Sequence, residues 1–172
     1  GFTYFNANNQ NRRGDFILGS LDYTKKNDDL SQLSTSFLYE YSMLGGPTLN
    51  RNLGFPNDNT TYQEEYNTND NPLQGIRWNI DYTSKQLPFG QMLAGYQFRH
   101  LNHYGNFIYE RKDEESGIYE LIPEFSSEVN LNRMIHAAYV QWNKKIKKWS
   151  YASGVRFEYM NRDFQLQDKA NL

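Results

Sequence analysis

The chain has 172 residues, a formal net charge of -2, no cysteine, and 16% aromatic residues within an apolar share of only 38%. No run of about 18 apolar residues occurs, which excludes a transmembrane helix; a transmembrane strand stays open, because its water-facing side keeps mean hydropathy low, here -0.87. Neither charge sign dominates, so nucleic acid is not expected as a partner, and disulfide and thiolate chemistry are removed.

In chain order, residues 1–8 read as the end of a strand and residues 8–14 as a polar turn. Alternation starts at Asp15, with Ile17, Gly19, Leu21 and Tyr23 against Phe16, Leu18, Ser20 and Asp22. After a short turn at 25–29, Leu33, Thr35, Phe37, Tyr39, Tyr41 and Met43 alternate with a polar set that includes Glu40, which needs water or a partner on its side. Residues 44–71 carry Gly45-Gly46-Pro47, Pro56-Asn57-Asp58-Asn59 and an Asn-rich run ending at Pro72, and read as a large loop. Loops beyond about 15 residues are rare in compact domains unless functional.

A third strand sets Ile76, Trp78, Ile80 and Tyr82 against Arg77, Asn79 and Asp81. Residues 84–88 turn it into a fourth, with Met92, Ala94, Tyr96 and Phe98 against Gln97 and Arg99. Residues 100–131 read as a second long excursion, strand-like only at Phe107-Ile108-Tyr109. The segment 134–142 is extended, with its facing open between Ile135, Ala137, Tyr139 and Ala138, Val140, Trp142. The run from Lys144 to Lys148 is a hairpin turn, either a solvated tip or an interfacial anchor. Beyond it Tyr151, Ser153, Val155, Phe157 and Tyr159 oppose Ser150, Ala152, Gly154, Arg156 and Glu158.

A strand from Trp149 to Tyr159 is roughly 35 Å long and about 25 Å tall when tilted near 45°, the height of an outer-membrane hydrocarbon layer. Tyr and Trp at its ends fit interfacial girdles. The short links (25–29, 84–88, 144–148) alternate with long ones (44–71, 100–131), residues 8–14 excepted. That asymmetry is the habit of bacterial outer-membrane barrels. The expected fold is all-β: an antiparallel transmembrane β-barrel segment of six or seven strands, with short periplasmic turns and long extracellular loops. No signal peptide is visible and both ends read as cut, so this reading expects a processed or longer polypeptide.

Glu40, Arg77, Asp81, Gln97, Arg99, Arg156 and Glu158 are the lumen-facing candidates. They satisfy one another or water along a lumen, contact substrate, or contact an internal plug. Tyr62, Tyr66, Tyr104, Tyr109, Tyr119 and Phe125 are candidates on the extracellular loops, where aromatics beside amides and carboxylates suit carbohydrate, peptide or protein. His100 and His103 lack a third ligand, so no metal is expected. No cofactor, acid/base pair or nucleophilic triad is indicated.

The strand texts Trp78-Asn79-Ile80-Asp81-Tyr82, residues 93–99, Phe107-Ile108-Tyr109-Glu110-Arg111, residues 136–142 and residues 151–159 together resemble the barrel of TonB-dependent outer-membrane receptors, in particular the Bacteroidota outer-membrane β-barrel family. The resemblance covers the chain from about Gly14 onward and implies the cell outer membrane, a 22-stranded barrel, an N-terminal plug, and import energised by the TonB system. Membrane lipid and the remainder of barrel and plug are then partners, with room for a surface lipoprotein or another outer-membrane protein. The chain lacks a plug and most of the strands, so it is expected to be one section of a barrel domain. Two alternatives stay open: a plug-less outer-membrane barrel with a structural or assembly role, and a soluble β binding module.

Overall fold

The computed structural model describes residues 4–54 and 59–171 as one antiparallel sheet. In chain order the strands are β1 (Tyr4–Gln10), β2 (Arg13–Lys26), β3 (Gln32–Gly54), β4 (Thr61–Thr83), β5 (Gln91–Lys112), β6 (Tyr119–Leu121), β7 (Ser127–Ile146) and β8 (Trp149–Asp168). β1 and β2 both pair with β3, in one unbroken register: Gln10 lies opposite Thr48 and Arg13 opposite Gly45. Six long strands therefore run across the sheet as β1/β2, β3, β4, β5, β7 and β8, with the three-residue β6 beside the far end of β5.

Three sequence expectations are corrected. Residues 8–14 are not a turn, since the strand passes through Asn11, whose N–H donates to Pro47 O at 3.0 Å. Residues 44–71 are not a loop, because β3 continues to Gly54, β4 begins at Thr61, and they pair along their length with one irregularity at Asn52/Leu53. Residues 100–131 are not an excursion; β5 continues to Lys112 and β7 begins at Ser127. Cross-strand pairing overrides weak local propensity here: Asn and Thr are tolerated in strands whose two neighbours satisfy the backbone. The turn expected at Pro56–Asn59 falls mostly on 55–58, outside the described residues.

Gly45 and Gly46 explain how a Gly-Gly-Pro run survives inside β3. Gly46 has φ +126, and a Cβ there would lie 2.1 Å from Asn11 O; at Gly45 a Cβ would lie 1.9 Å from Asn69 O. Only glycine permits the neighbouring strands to approach so closely. Pro72 has no N–H to give, and Asn71 and Pro72 correspondingly have no partners on β5.

The links at one rim are short (27–31, 84–90 and 147–148), and those at the other are 55–60 and 113–126. The rim asymmetry thus lies mainly in strand length. At 23 residues β3 and β4 are about 75 Å long at ~3.3 Å per residue, against the 9–11 residues that cross a bilayer.

Because residues paired across strands share a face, the register assigns both faces. One carries Ile17, Leu21, Tyr23, then Leu33, Phe37, Tyr39, Tyr41, then Ile76, Trp78, Ile80, Tyr82, then Met92, Ala94, Tyr96, Phe98, then His136, Ala138, Val140, Trp142, then Val155, Phe157, Tyr159. The open facing of 134–142 is thereby resolved in favour of Val140 and Trp142. This apolar band has nothing covering it: Leu21 is 73% exposed and Phe157 71%.

The solvent-accessible surface is 12615 Å², whereas a compact 20.4 kDa monomer exposes about 8,800 Å². Ala137 is the one buried apolar residue among those described. An uncovered apolar band of this extent is stable only against an apolar medium or another surface. Among the described residues the sheet is open, with the outer edges of β2 and β8 unpaired.

Candidate functional site

All seven polar candidates share the face opposite the apolar band, in adjacent rows. Asp81 and Arg156 belong to the row Ser34, Asp81, Gly95, Tyr139, Arg156; Gln97 and Glu158 to the row Asn79, Gln97, Ala137, Glu158; Arg77 and Arg99 are direct partners; Glu40 lies one row on, opposite Gly75. Tyr139 crosses Gly95 to donate its hydroxyl hydrogen to Asp81, and a Cβ at Gly95 would fall 2.5 Å from the Tyr139 ring. Glu40 lies over Gly75 in the same manner. The two glycines thus leave room for Tyr139 to cross one strand and for the Glu40 carboxyl to rest on another.

Amide and guanidinium bonds link the neighbouring candidates on this face. Gln97 Nε2 donates to Asn79 Oδ1 at 2.8 Å, while Arg156 Nη2 donates to Gln97 Oε1 at 3.3 Å and to Glu158 Oε2 at 3.1 Å. Arg77 faces Arg99, and Arg133 faces Arg162, cation against cation. Arg77 Nε is shut off from solvent without a hydrogen-bond partner. The row beside Arg133 and Arg162 is already partly apolar, with Phe16, Leu73, Leu131 and Phe164.

Farther along the same face, where β1 meets β2, the kinked Gly45-Gly46 segment leaves a cleft of 730 Å³. Gln10, Arg12, Asn67, Asn69 and Asn71 contribute polar groups, and Phe107, Tyr109 and Phe125 contribute rings. Asn67 Oδ1 is a second side-chain atom sealed from solvent with no partner. Ser126 fixes the ring wall: its Oγ donates to Ile122 O at 2.9 Å and accepts from Tyr109 N at 3.0 Å, holding Phe125 edge-on to Tyr109 at 5.3 Å. Burial, then the neighbouring Glu65, pushes the Tyr109 hydroxyl above its ordinary pKa, so it remains a neutral donor. Sequence reading missed this cleft because its polar wall comes from residues 67–71, read there as loop.

The aromatic candidates are corrected in kind. Tyr62 and Tyr66 lie in β4, Tyr104 and Tyr109 in β5 and Tyr119 in β6; Phe125 alone lies outside a strand, in the 3-10 turn Pro123–Phe125. They are not gathered into one site. Tyr66, Tyr104 and Tyr119 share the face of the apolar band, Tyr109 and Phe125 the opposite one, and Tyr62 sits at the irregularity opposite Asn52/Leu53 with no register partner on β3.

Beside Tyr119, Glu64 accepts from the Tyr119 hydroxyl, from Arg51 Nε at 2.7 Å and from Lys112 Nζ at 3.2 Å. These bonds, the tyrosine's first, hold the Glu64 carboxyl below its usual range. His100 and His103 fall on opposite faces, and no group of three metal-ligating residues occurs among the described residues.

A long-stranded sheet with an uncovered aromatic band and a polar reverse matches a known pattern. The model of the outer membrane protein beta-barrel family matches residues 23–171. The chain belongs to that family. Its place is the outer membrane. No match is found among characterised proteins.

Proposed function

We propose that the chain is one section of the barrel domain of a TonB-dependent outer-membrane receptor, whose parent protein imports an iron chelate, oligosaccharide, peptide or similar ligand. In this reading Glu40, Arg77, Asp81, Gln97, Arg99, Arg156 and Glu158 face the lumen, further strands complete the wall, a plug fills it, and the cleft near Asn67 receives ligand from outside. Its rings and amides suit a ligand that offers both a flat face and hydroxyl or amide groups.

The observation that carries the reading is the open arc: six tall strands with a wet inner wall and two unpaired edges. Unpaired edges do not occur in hydrocarbon, so other strands must cover these, and a wide barrel with a charged wall needs an internal filling or a water-filled channel.

Two measurements test it. Determination of the complete reading frame is expected to show a plug-sized segment and additional strands; an uninterrupted product holding only the barrel sinks the receptor assignment and leaves a structural barrel. Because the chain has no cysteine, Gln97→Cys and Val140→Cys can be labelled singly. A membrane-impermeant maleimide should reach Gln97→Cys through the lumen and miss Val140→Cys; the reverse outcome exchanges the two faces and removes the proposal.

A further inference from the structure

Charge is sorted along the strands. Seven of the nine lysines, Lys25, Lys26, Lys85, Lys144, Lys145, Lys147 and Lys148, lie at the short-turn rim, where the only acids are Asp28 and Asp29. All nine arginines lie elsewhere, and the far hairpins are acidic, with Glu110, Glu114, Glu115, Glu120 and Glu124 among them. None of the seven lysines takes part in an ion pair among the described residues.

The rim is also where the backbone departs from preference. The two described non-glycine residues with positive φ are Leu30 (φ 66) and Lys147 (φ 54), both in its turns. Such positions favour Gly or Asn. Here they hold an 82% exposed leucine and a lysine. Trp149 (70% exposed) flanks Lys148, and Phe89 stacks on Trp142 at 5.1 Å. Lys25 and Lys144 stand on the apolar-band side, paired with Leu33 and Tyr151. Their stems can lie along apolar side chains while the ammonium groups reach a phosphate layer.

We propose that this rim docks on a leaflet of anionic glycerophospholipid. Lys25, Lys144, Lys145, Lys147 and Lys148 take the headgroup phosphates, and Leu30, Phe89 and Trp149 enter the acyl boundary. The assignment rests on the apolar band facing lipid. It follows from a rim that joins unpaired ammonium groups to the exposed rings of Phe89 and Trp149, and that holds an exposed leucine, Leu30, and a lysine, Lys147, at positions whose backbone would be easier to build with glycine. Lysine presents a mobile point charge suited to diffuse headgroups, whereas arginine serves fixed bidentate pairs.

The test is native mass spectrometry of the detergent-purified protein offered phosphatidylglycerol, phosphatidylcholine or lipid A. Phosphatidylglycerol should be retained over phosphatidylcholine, with about fivefold in association for each lysine at the surface. Retention should fall to the phosphatidylcholine level in the combined Lys144→Gln, Lys145→Gln, Lys147→Gln, Lys148→Gln variant. It should be unchanged when Glu110, Glu114, Glu115 and Glu120 become Gln. On the unaltered protein, salt that shortens screening from about 10 to about 3 Å should abolish the preference, a result that needs no variant to fold. Equal retention of the two phospholipids, preference for lipid A, or an unaffected lysine variant overturns the proposal. Cysteine labelling at Val140 reports separately whether the band faces lipid.

Discussion

Between Trp149 and Tyr159, β8 sends Tyr151, Val155 and Phe157 to the outer face and Arg156 and Glu158 to the inner one; from Met160 to Leu166 it does the opposite, with Asn161, Asp163 and Gln165 outside and Met160, Phe164 and Leu166 inside. The other strands turn over at the same height. β7 passes from outward Val140 and Ala138 to outward Asn132 and Asn130, and β2 from outward Leu21 and Ile17 to outward Asp15. Nothing in the backbone ladder changes at this level. What changes is the chemistry of the outward side chains, and on the proposed reading the period of two records oil outside the lower half and water outside the upper. Tyr39, Tyr41 and Tyr159 lie near the crossover, and Tyr23, Tyr82, Trp142 and Trp149 mark the lower boundary.

The sharpest way to break this comparison is to put the same charge on the same face in each half. Val140→Arg, at mid-height of the band, should destabilise the protein in vesicles by about 2–4 kcal/mol. Asn130→Arg, ten residues along the same face of β7, should change stability by less than about 0.5 kcal/mol. Urea unfolding in lipid vesicles measures both, and equal effects would abolish the distinction between the halves.

Next in size is the inner face of the lower half. Gly95→Val should cost about 1–3 kcal/mol, because its Cβ meets the Tyr139 ring that bonds Asp81, a stiff obstacle. Gly75→Val should cost less than Gly95→Val in the same assay, since the group in its way is the Glu40 carboxyl end, which can swing aside. Equal costs would show that the aromatic crossing carries no special packing.

In the upper half the corresponding structure is polar and outward. Glu64→Ala leaves Arg51, Lys112 and Tyr119 without their common acceptor and should loosen β6 locally by about 1–2 kcal/mol. Faster hydrogen exchange at Tyr119–Leu121 with unchanged global unfolding would register it. The pH dependence has a definite sign. Glu64 has a folded pKa below its ordinary 4.5, so its contribution is full above that value and is lost as pH falls through the depressed one. Protection of the β6 amides relative to their intrinsic exchange rates should therefore fall in the unaltered protein only in acid, and Glu64→Gln should flatten that fall.

How much of this was legible in the sequence follows the same division. In the lower half Phe37, Tyr39, Trp78, Ile80, Val155 and Phe157 alternate with polar residues, and the seven polar candidates could be placed on one face from period alone. In the upper half the contrast weakens to Asn against Thr or Leu against His, and Gly45-Gly46-Pro47 and Pro72 imitate turns. The strands there are held by partners distant in sequence, Asn67 by Thr48 and Tyr109 for example. Long-range pairing of that kind leaves little local trace. The cleft was hidden for the same reason, as was the facing of Val140, which only the register with Val155 and Ala94 decides.

The smallest expected effect concerns the one glycine of the lower outer face that nothing touches. At Gly19 a Cβ would have no heavy atom within 4 Å, and its φ lies outside the left-handed region. Gly19→Ala therefore meets neither a clash nor backbone strain, removes freedom from the unfolded chain, and adds a methyl to the lipid side. It should raise stability in vesicles by about 0.4–1 kcal/mol. Gly14, on the inner face of the upper half, has Leu44 Cδ2 at 3.7 Å from such a Cβ, so Gly14→Ala gains an ordinary contact there. If lipid bathes the lower outer face, replacing each alanine by serine should erase the gain at position 19, where the hydroxyl enters hydrocarbon, and leave position 14, on the inner face, nearly unchanged. A serine tolerated equally at both would place water, not lipid, against Gly19.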